Sequence, residues 1–223
     1  MPNIELIDSF AHELTAIRRD LHAHPEIGFE EHRTSGIVAE KLAGWGIEVH
    51  RGLGGTGVVG LLKGKGNGTK RIGLRADMDA LPMDERTGLP FASTTPNVAH
   101  ACGHDGHTSV LLGAGLALAS APTLPVGVRL VFQAAEELMP GGALDAISAG
   151  ALAGVSRIFA LHCDPRLEVG TVATIPGPIT SAADQMEITL HSPGGHTSRP
   201  HLTGDQVYAL GTLITGVPGV LSR

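Results

Sequence analysis

Residues 108–132 of the chain read Thr108-Ser-Val-Leu-Leu-Gly-Ala-Gly-Leu-Ala-Leu-Ala-Ser-Ala-Pro-Thr-Leu-Pro-Val-Gly-Val-Arg-Leu-Val-Phe132. The first half is apolar and rich in glycine and alanine, but it is shorter than the ~20 apolar residues that a membrane-spanning helix needs. It therefore predicts a buried helix over residues 108–119. Residues 126–132 are rich in valine and predict a strand. A helix followed by a buried strand is the repeating unit of an α/β sheet.

The same alternation extends in both directions from this unit. Upstream, apolar residues at spacings of three and four predict a helix that Pro25 ends, and a second helix is predicted over residues 30–42. Strands bounded by glycine are predicted at residues 47–50, 58–62 and 72–76. Downstream, a helix is predicted at 143–149 and a strand at 158–162. Strands that alternate with helices predict an α/β fold, in which helices flank the sheet.

The pattern changes after Pro176 and Pro178. Residues 186–190 alternate apolar and polar like a strand with one exposed face, and residues 205–214 have the spacing of an amphipathic helix. We therefore expect an α/β domain over residues 1–178 and the start of an α+β domain over residues 179–223. One strand and one helix are too little to enclose a core, so we expect the second domain to be incomplete in this chain.

Composition excludes several classes of protein. The chain has 223 residues, of which 16 are basic and 22 acidic, so its formal charge is −6 with histidine neutral. The basic residues are scattered and aromatic residues that could stack on bases are few, so we expect no nucleic-acid partner. No segment is long and apolar enough for a membrane span, and the N-terminus lacks the features of a secretory signal. We expect a cytoplasmic protein with no membrane partner.

Five potential metal donors lie within the eight residues of the segment His100-Ala-Cys-Gly-His-Asp-Gly-His107. A thiolate and imidazoles are the donors that zinc and similar borderline metals prefer, whereas magnesium and calcium prefer oxygen. A single histidine here would be typical of a helix cap or a satisfied core residue, but five donors together favour a metal site. The donors are His100, Cys102, His104, Asp105 and His107.

Further donors follow three of the predicted strands. Open α/β sheets place their ligand sites outside the carboxyl ends of the strands, so we expect these side chains to converge on the loop that carries Cys102. Any one of the acidic pairs, taken alone, is equally typical of a solvated turn. The donors are Asp77, Asp79, Glu136, Glu137, His162 and Asp164.

Glu136 and Glu137 are adjacent carboxylates at an irregular turn. One of them can bind a metal while the other faces an open coordination position. A metal lowers the pKa of bound water towards ~7, and a carboxylate beside it can accept the proton and pass it to a leaving amine. The alternative is a charge pair at a helix N-terminus, which the helix dipole favours. The first interpretation predicts a hydrolase.

Other catalytic motifs are absent or lack the required context. Gly52-Leu-Gly-Gly-Thr-Gly57 matches the dinucleotide-binding pattern, but a strand follows it where that site needs a helix N-terminus. The G-x-S-x-G and H-E-x-x-H motifs do not occur in the sequence. Two alternatives stay open: a thiol enzyme that uses Cys102, and a metal-binding protein without activity, which would have no use for Glu136 beside its ligands.

Six motifs that cover nearly the whole chain, in order, resemble those of a known family. This family is the metal-dependent aminoacylase and carboxypeptidase-type amidohydrolases, in the branch that contains hippurate hydrolase and indole-acetyl-amino-acid hydrolases. The Cys-Gly-His-Asp element is highly specific to that branch. The motifs are Leu21-His-Ala-His-Pro-Glu-Ile-Gly-Phe-Glu-Glu31, Arg75-Ala-Asp-Met-Asp-Ala-Leu-Pro82, His100-Ala-Cys-Gly-His-Asp-Gly-His107, Glu136-Glu137, Leu161-His162 and Gly194-Gly-His-Thr-Ser-Arg-Pro-His201.

The resemblance implies a zinc-exopeptidase-like catalytic domain, followed by a lid and dimerisation domain. It also implies a site for two divalent metal ions, which could be zinc, manganese, nickel or cobalt. Family members bring a further histidine ligand from a C-terminal return to the catalytic domain, so we expect this chain to be C-terminally truncated. The ligands implied within the chain are Cys102, His104, Glu137 and His162.

The resemblance also implies the roles of three further residues. Glu136 would be the general base that activates the bridging water. Asp79 would orient a residue of the site, and His196 of the lid would donate a hydrogen bond to the developing oxyanion, across a dimer. The substrate would be an N-acyl amino acid or a related small amide, and the full-length protein would be a homodimer.

Overall fold

The computed structural model describes residues 4–65, 70–180 and 185–221. The chain forms two compact units, Met1–Ala173 and Thr174–Arg223. The first unit has a five-stranded sheet with helices packed on both faces, which confirms the predicted α/β class. The division between the units falls a few residues before the predicted boundary at residue 178.

The three strands at one side of the sheet run in the same direction. The sheet order is β1-β2-β4-β3-β5, in which β3 is parallel to both of its neighbours and β2 is antiparallel to β1 and β4. Strands β4, β3 and β5 therefore end at the same edge. The elements are α1 Ile4–Ala23, α2 His32–Gly44, β1 Glu48–Arg51, β2 Val58–Leu62, β3 Arg71–Asp77, α3 His104–Ala119, β4 Gly127–Gln133, α4 Ala143–Ser148 and β5 Val155–Ala160.

Neighbouring strand residues are buried on opposite faces of the sheet. Val58 and Leu130 belong to the main core, which contains side chains of α1, α2 and α3. The next residue of each strand, Val59 or Val131, packs in a smaller cluster with Ala146 of α4. Successive side chains of a strand point to opposite faces. Both faces are covered, which explains why these strands are apolar at consecutive positions.

Helix α3 begins at His104, whereas the predicted helix begins at Thr108. His104, Asp105 and His107 consequently belong to its first turns and are buried there. The prediction confined the helix to the apolar residues. The polar residues before them can also be helical and buried, because their side chains have partners from distant parts of the chain.

Strand β5 also differs from its prediction. It covers Val155–Ala160 instead of residues 158–162, because its pairing with β3 begins opposite Arg71 and ends opposite Arg75. His162 therefore lies beyond the strand, on a segment without regular secondary structure. Contacts from elsewhere in the fold must set the position of its side chain.

The second unit contains a helix but not the predicted strand. Residues 185–190 have no regular secondary structure, so the strand predicted at 186–190 is wrong. A strand is held by hydrogen bonds to a neighbouring strand, and the described residues of this unit offer none. Helix α5 Gln206–Leu221 is longer than the predicted 205–214. No helix within the three described ranges is both long and apolar enough to cross a membrane.

Replacement of Leu112 by alanine is expected to lower the free energy of unfolding by about 2–5 kcal/mol. Leu112 is fully buried in the main core, so its truncation leaves a cavity under α3. Val110 lies on the same helix but is half-exposed, and Val110→Ala is the matched control, with an expected change below about 0.5 kcal/mol. Urea denaturation of both variants measures the difference. Equal losses would contradict this description of the core.

Candidate metal centre

The candidate site lies where β3, β4 and β5 end and α3 begins. Asp77 is the last residue of β3, Glu136 and Glu137 follow β4, and His162 follows β5. These strands are parallel neighbours, so the residues that follow them meet at one edge of the sheet. The structure therefore brings together donors from separate parts of the chain, as the sequence predicts.

Gly103 shapes the turn between Cys102 and His104. Its φ of 87° is left-handed, a conformation that residues with a Cβ rarely adopt. A Cβ at this position would also lie 3.3 Å from the Cβ of Cys163. The turn places Cys102 at the end of the loop, where its Sγ lies 3.3 Å from Nε2 of His162.

Donor atoms of four other side chains gather around the His104 imidazole. Cys102, His104 and His162 form one group whose donor atoms all lie within 4.8 Å of one another. His104, Glu136 and Glu137 form a second such group. Nε2 of His104 is 3.8 Å from Oε1 of Glu137 and 4.0 Å from Oε2 of Glu136. His104 thus joins both groups in a single cluster.

Two atoms of this cluster are buried without a hydrogen-bond partner among the described residues. They are Nε2 of His104 and Oε1 of Glu137. Burial of unpaired polar atoms costs free energy, and their separation of 3.8 Å is too long for a hydrogen bond between them. Two ligands of one zinc ion, each at ~2.0–2.2 Å from it, are separated by a similar distance. Thiol, imidazole and carboxylate donors suit a borderline divalent metal, so the residues present fit such an ion.

The charges around His104 favour a cation. Burial by itself lowers the pKa of His104, but the contact with Asp79 and the charges of Asp77 and Glu137 raise it above the usual value. The side chains of His104 and Asp77 are only 1% exposed, so solvent screens their interaction weakly. Negative charge that stabilises a proton on this imidazole also stabilises a metal ion beside it.

The same charges oppose ionisation of Cys102. Burial, together with the nearby carboxylate of Glu137, raises the pKa of the thiol to about 12. A nucleophilic cysteine needs a lowered pKa, because the thiolate is the reactive form. A divalent cation would deprotonate the thiol by coordinating it. Cys102 is therefore better suited to bind a metal than to attack a substrate.

Asp79 contacts both residues that carry the unpaired atoms. Its carbonyl oxygen accepts a hydrogen bond from Nδ1 of His104 at 2.8 Å, and its Oδ2 accepts the backbone N–H of Glu137 at 2.9 Å. A carbonyl can only accept, so Nδ1 of His104 carries a proton and a neutral ring keeps the Nε2 lone pair for a metal. Burial raises the pKa of the Asp79 carboxyl, but its contact with the His104 side chain and hydrogen bonds from the backbone of Glu137 and Glu136 lower that pKa to below the usual value.

Sequence reasoning missed Glu31, which holds the turn before the paired glutamates. Its fully buried carboxylate accepts the N–H of Ala135 at 2.7 Å through Oε1, and the hydroxyl of Thr56 through Oε2. Ala135 has a φ of 49°, which is strained for a residue other than glycine, and it precedes Glu136 directly. The sequence shows an acidic residue at the end of the first of the six motifs, but no local signal links it to a residue 104 positions away.

His107 lies beside the donors, but both of its ring nitrogens already have partners. Nδ1 lies 2.6 Å from Oδ1 of Asp77, and Nε2 accepts the backbone N–H of Cys163 at 2.9 Å. Burial raises the pKa of Asp77, but His107, Arg75 and His104 lower it overall to about 2. Asp77, His104 and His107 are close enough to bind a metal. Hydrogen bonds nevertheless occupy the side chains of Asp77 and His107, so these side chains are less available to a metal than Nε2 of His104 and Oε1 of Glu137.

Two other donors of the predicted loop point elsewhere. Asp105 accepts hydrogen bonds from Arg18 and His22 and so ties α1 to α3. His100 is buried, and burial lowers the pKa of its ring to about 4. Neither belongs to the groups of close donor atoms that the described residues form.

Two further predicted residues lie outside the cluster. Asp164 is paired with Arg166 at 2.6 Å. His196 belongs to the second unit, where its Nδ1 lies 2.8 Å from the hydroxyl of Ser198. Its role as an oxyanion donor stays a prediction.

The sequence is similar to several known proteins. Residues 73–215 match the model of peptidase family M20/M25/M40. Hippurate hydrolase of Campylobacter jejuni is 43% identical over 95% of this chain, which covers 55% of that protein. A Rhodococcus jostii protein named as a glutamate--cysteine ligase 2-3 is 56% identical over 95% of this chain, but the chain covers 26% of it. That name therefore refers to a much longer protein, and this chain matches only about a quarter of it.

The fold is similar to that of a solved structure. The YXEP protein of Bacillus subtilis, described as a dinuclear metal binding peptidase from the M20 family, has a TM-score of 0.73 and 42% identity. The match covers 77% of this chain and 48% of that one, and the chain spans about half the length of most curated relatives that it matches. The family match includes the end of β3, the start of α3, the paired glutamates and the segment after β5. On this agreement of sequence and fold, the chain belongs to peptidase family M20/M25/M40.

Proposed function

We propose that the protein hydrolyses the amide bond of N-acyl amino acids or related small amides at a divalent metal site. One observation carries this proposal: Nε2 of His104 and Oε1 of Glu137, which are buried and have no hydrogen-bond partner among the described residues, lie beside a further carboxylate, that of Glu136. Hydrolysis needs metal ligands and also a base, and the cluster contains both. The name of the hippurate hydrolase supports the substrate class, because hippurate is itself an N-acyl amino acid.

Two divalent ions would be held by the cluster, and the description of the YXEP protein as dinuclear supports this number. When bound, the metal would polarise the substrate carbonyl and make the attacking water more acidic. A thiol ligand favours zinc, nickel or cobalt, while the family resemblance admits manganese. The proposed ligands are Cys102, His104, Glu137 and His162.

Glu136 is the proposed general base. Its side chain is 41% exposed, whereas that of Glu137 is 23% exposed, so Glu136 is the more accessible to a substrate. Burial and the charges of Asp77 and Glu137 raise the pKa of Glu136 above the usual value, towards the range in which a base works well near neutral pH. Glu136 would take a proton from the water that attacks the carbonyl carbon. It would then deliver that proton to the amide nitrogen as the C–N bond breaks.

Further assignments belong to the same proposal. Asp79 would keep the His104 ring oriented through the hydrogen bond from Nδ1. Residues 1–178 would form the catalytic domain, and residues 179–223 would begin a lid and dimerisation domain. His196 of this lid would donate a hydrogen bond to the oxyanion in a homodimer. We expect a cytoplasmic protein without nucleic-acid or membrane partners.

A thiol-dependent hydrolase is the second candidate. Sγ of Cys102 lies 3.3 Å from Nε2 of His162, a geometry typical of a cysteine nucleophile and its base. The raised pKa of Cys102 weighs against this candidate. A metal-binding protein without activity is a third candidate, and the exposed Glu136 beside the proposed ligands weighs against it.

Replacement of Glu136 by glutamine is expected to lower the turnover of hippurate and similar N-acyl amino acids at least ~100-fold, because the general base is lost. The metal content should stay close to that of the wild type, since Glu136 is not a proposed ligand. Glu137→Gln is the contrasting variant and should lose metal as well as activity. Elemental analysis and steady-state hydrolysis measure both quantities. Near-normal turnover in the Glu136 variant would refute its role.

Replacement of Cys102 by alanine is expected to lower metal occupancy together with activity, because a coordinating thiolate contributes to the free energy of metal binding. Cys163→Ala is the matched control: it removes the other cysteine and should leave the metal content unchanged. Chelator treatment of the wild type should abolish its activity. Stoichiometric metal in the inactive Cys102 variant, with activity of the wild type that resists chelator, would favour the thiol mechanism instead.

A further inference from the structure

We propose that His107 is a positioning residue that directs the His162 imidazole towards the metal. His107 does so through the backbone N–H of Cys163, the residue that follows His162. This inference rests on the proposed function, because it takes His162 as a metal ligand. It assigns to His107 a role other than that of a ligand, although the sequence places His107 among the potential donors.

The protonation of the His107 ring follows from its partners. A backbone N–H can only donate, so Nε2 of His107, 2.9 Å from the nitrogen of Cys163, must be the acceptor and carries no proton. The proton of the neutral ring is therefore on Nδ1, which donates a hydrogen bond to Oδ1 of Asp77 at 2.6 Å. Asp77 also receives a hydrogen bond from Arg75. These contacts set one orientation and one tautomer of the ring.

The hydrogen bond from Cys163 to His107 acts on an irregular segment of the chain. His162 follows the end of β5, and the segment of residues 161–164 has no regular secondary structure, with residues 161–163 exposed. His107 is 2% exposed and lies on α3, which packs in the main core. The hydrogen bond from Cys163 therefore links an exposed segment to a rigid helix.

Two contacts link the hydrogen bond between Cys163 and His107 to the orientation of the His162 ring. The His107 and His162 rings meet edge to face, with centroids 4.8 Å apart and planes at 65°. Nδ1 of His162 lies 2.8 Å from the carbonyl oxygen of Cys163, so the His107 and His162 rings both bond to the backbone of Cys163, one to its N–H and the other to its carbonyl oxygen. The carbonyl accepts a hydrogen bond from the protonated Nδ1, which leaves Nε2 of a neutral ring available as a ligand. Nε2 faces Sγ of Cys102 at 3.3 Å.

Substitution of His107 by asparagine or by glutamine tests its two hydrogen bonds one at a time. The amide group of glutamine reaches the position of Nε2, so His107→Gln can still accept the N–H of Cys163 through its oxygen. The amide group of asparagine reaches only the position of Nδ1, so His107→Asn keeps the contact with Asp77 and loses the one with Cys163. We expect the Asn variant to bind metal about 10- to 100-fold more weakly than the wild type. The Gln variant should bind it within a few-fold of the wild type.

Competition between the purified chain and a chromophoric chelator for Zn²⁺ measures these affinities. Co²⁺ spectra of the same proteins report the ligand geometry, which a loss of stability alone would not change. Weaker binding by the Asn variant, with recovery in the Gln variant, is the expected result. Equal affinities of the wild type and the Asn variant would overturn the positioning role, and so would equal weakening in both variants. If the wild type binds no metal, the proposed function falls and the role of His107 falls with it.

A measurement on the wild type tests the inference even if a variant fails to fold. Long-range ¹H–¹⁵N NMR of the metal-free chain distinguishes the two neutral tautomers of each histidine ring. We expect His107 to carry its proton on Nδ1, and we expect the Cys163 amide proton to exchange slowly with solvent. A proton on Nε2 of His107, or rapid exchange of that amide, would overturn the inference while leaving the proposed function intact.

Discussion

The parallel pairing of β3 with both β4 and β5 is the constraint on which the rest of the site depends. In this arrangement three chain segments leave the sheet at one edge, although they are widely separated in sequence. The residues after β4 and β5 can then meet the start of α3, which lies against the same sheet. An antiparallel strand in either position would send its following residues to the opposite edge and divide the donors.

Hydrogen bonds from backbone N–H groups to buried side chains position the segments that follow the strands. Ala135 donates its N–H to Glu31, Glu137 to Asp79, and Cys163 to His107. Each of these amides belongs to a proposed functional residue or to its direct neighbour. The acceptors are buried and come from α3 or from the regions around α2 and β3. Irregular segments that would otherwise vary in conformation are thereby tied to the rigid core of the unit.

Charge explains why such an arrangement suits a cation. Asp77 and Asp79 are buried, and Glu137 lies within 4 Å of the same imidazole, which concentrates negative charge at the start of α3. Hydrogen bonds satisfy Asp77 and much of Asp79, and their pKa values are lowered. Nε2 of His104 and Oε1 of Glu137 lack such partners among the described residues. The network therefore distinguishes carboxylates that orient from atoms that are free to bind.

The sequence by itself determined the α/β class, the approximate elements and the chemical types of the donors, because hydrophobic periodicity and residue chemistry are local properties. It also indicated that donors after β3, β4 and β5 would converge. It failed for residues 186–190, since the formation of a strand depends on a partner outside the segment. The tertiary structure alone decided which donors are free. Among the described residues, His104 keeps an unpaired nitrogen, His107 uses both of its nitrogens, and Glu31 reaches Ala135. These outcomes depend on contacts between distant residues, which no local pattern encodes.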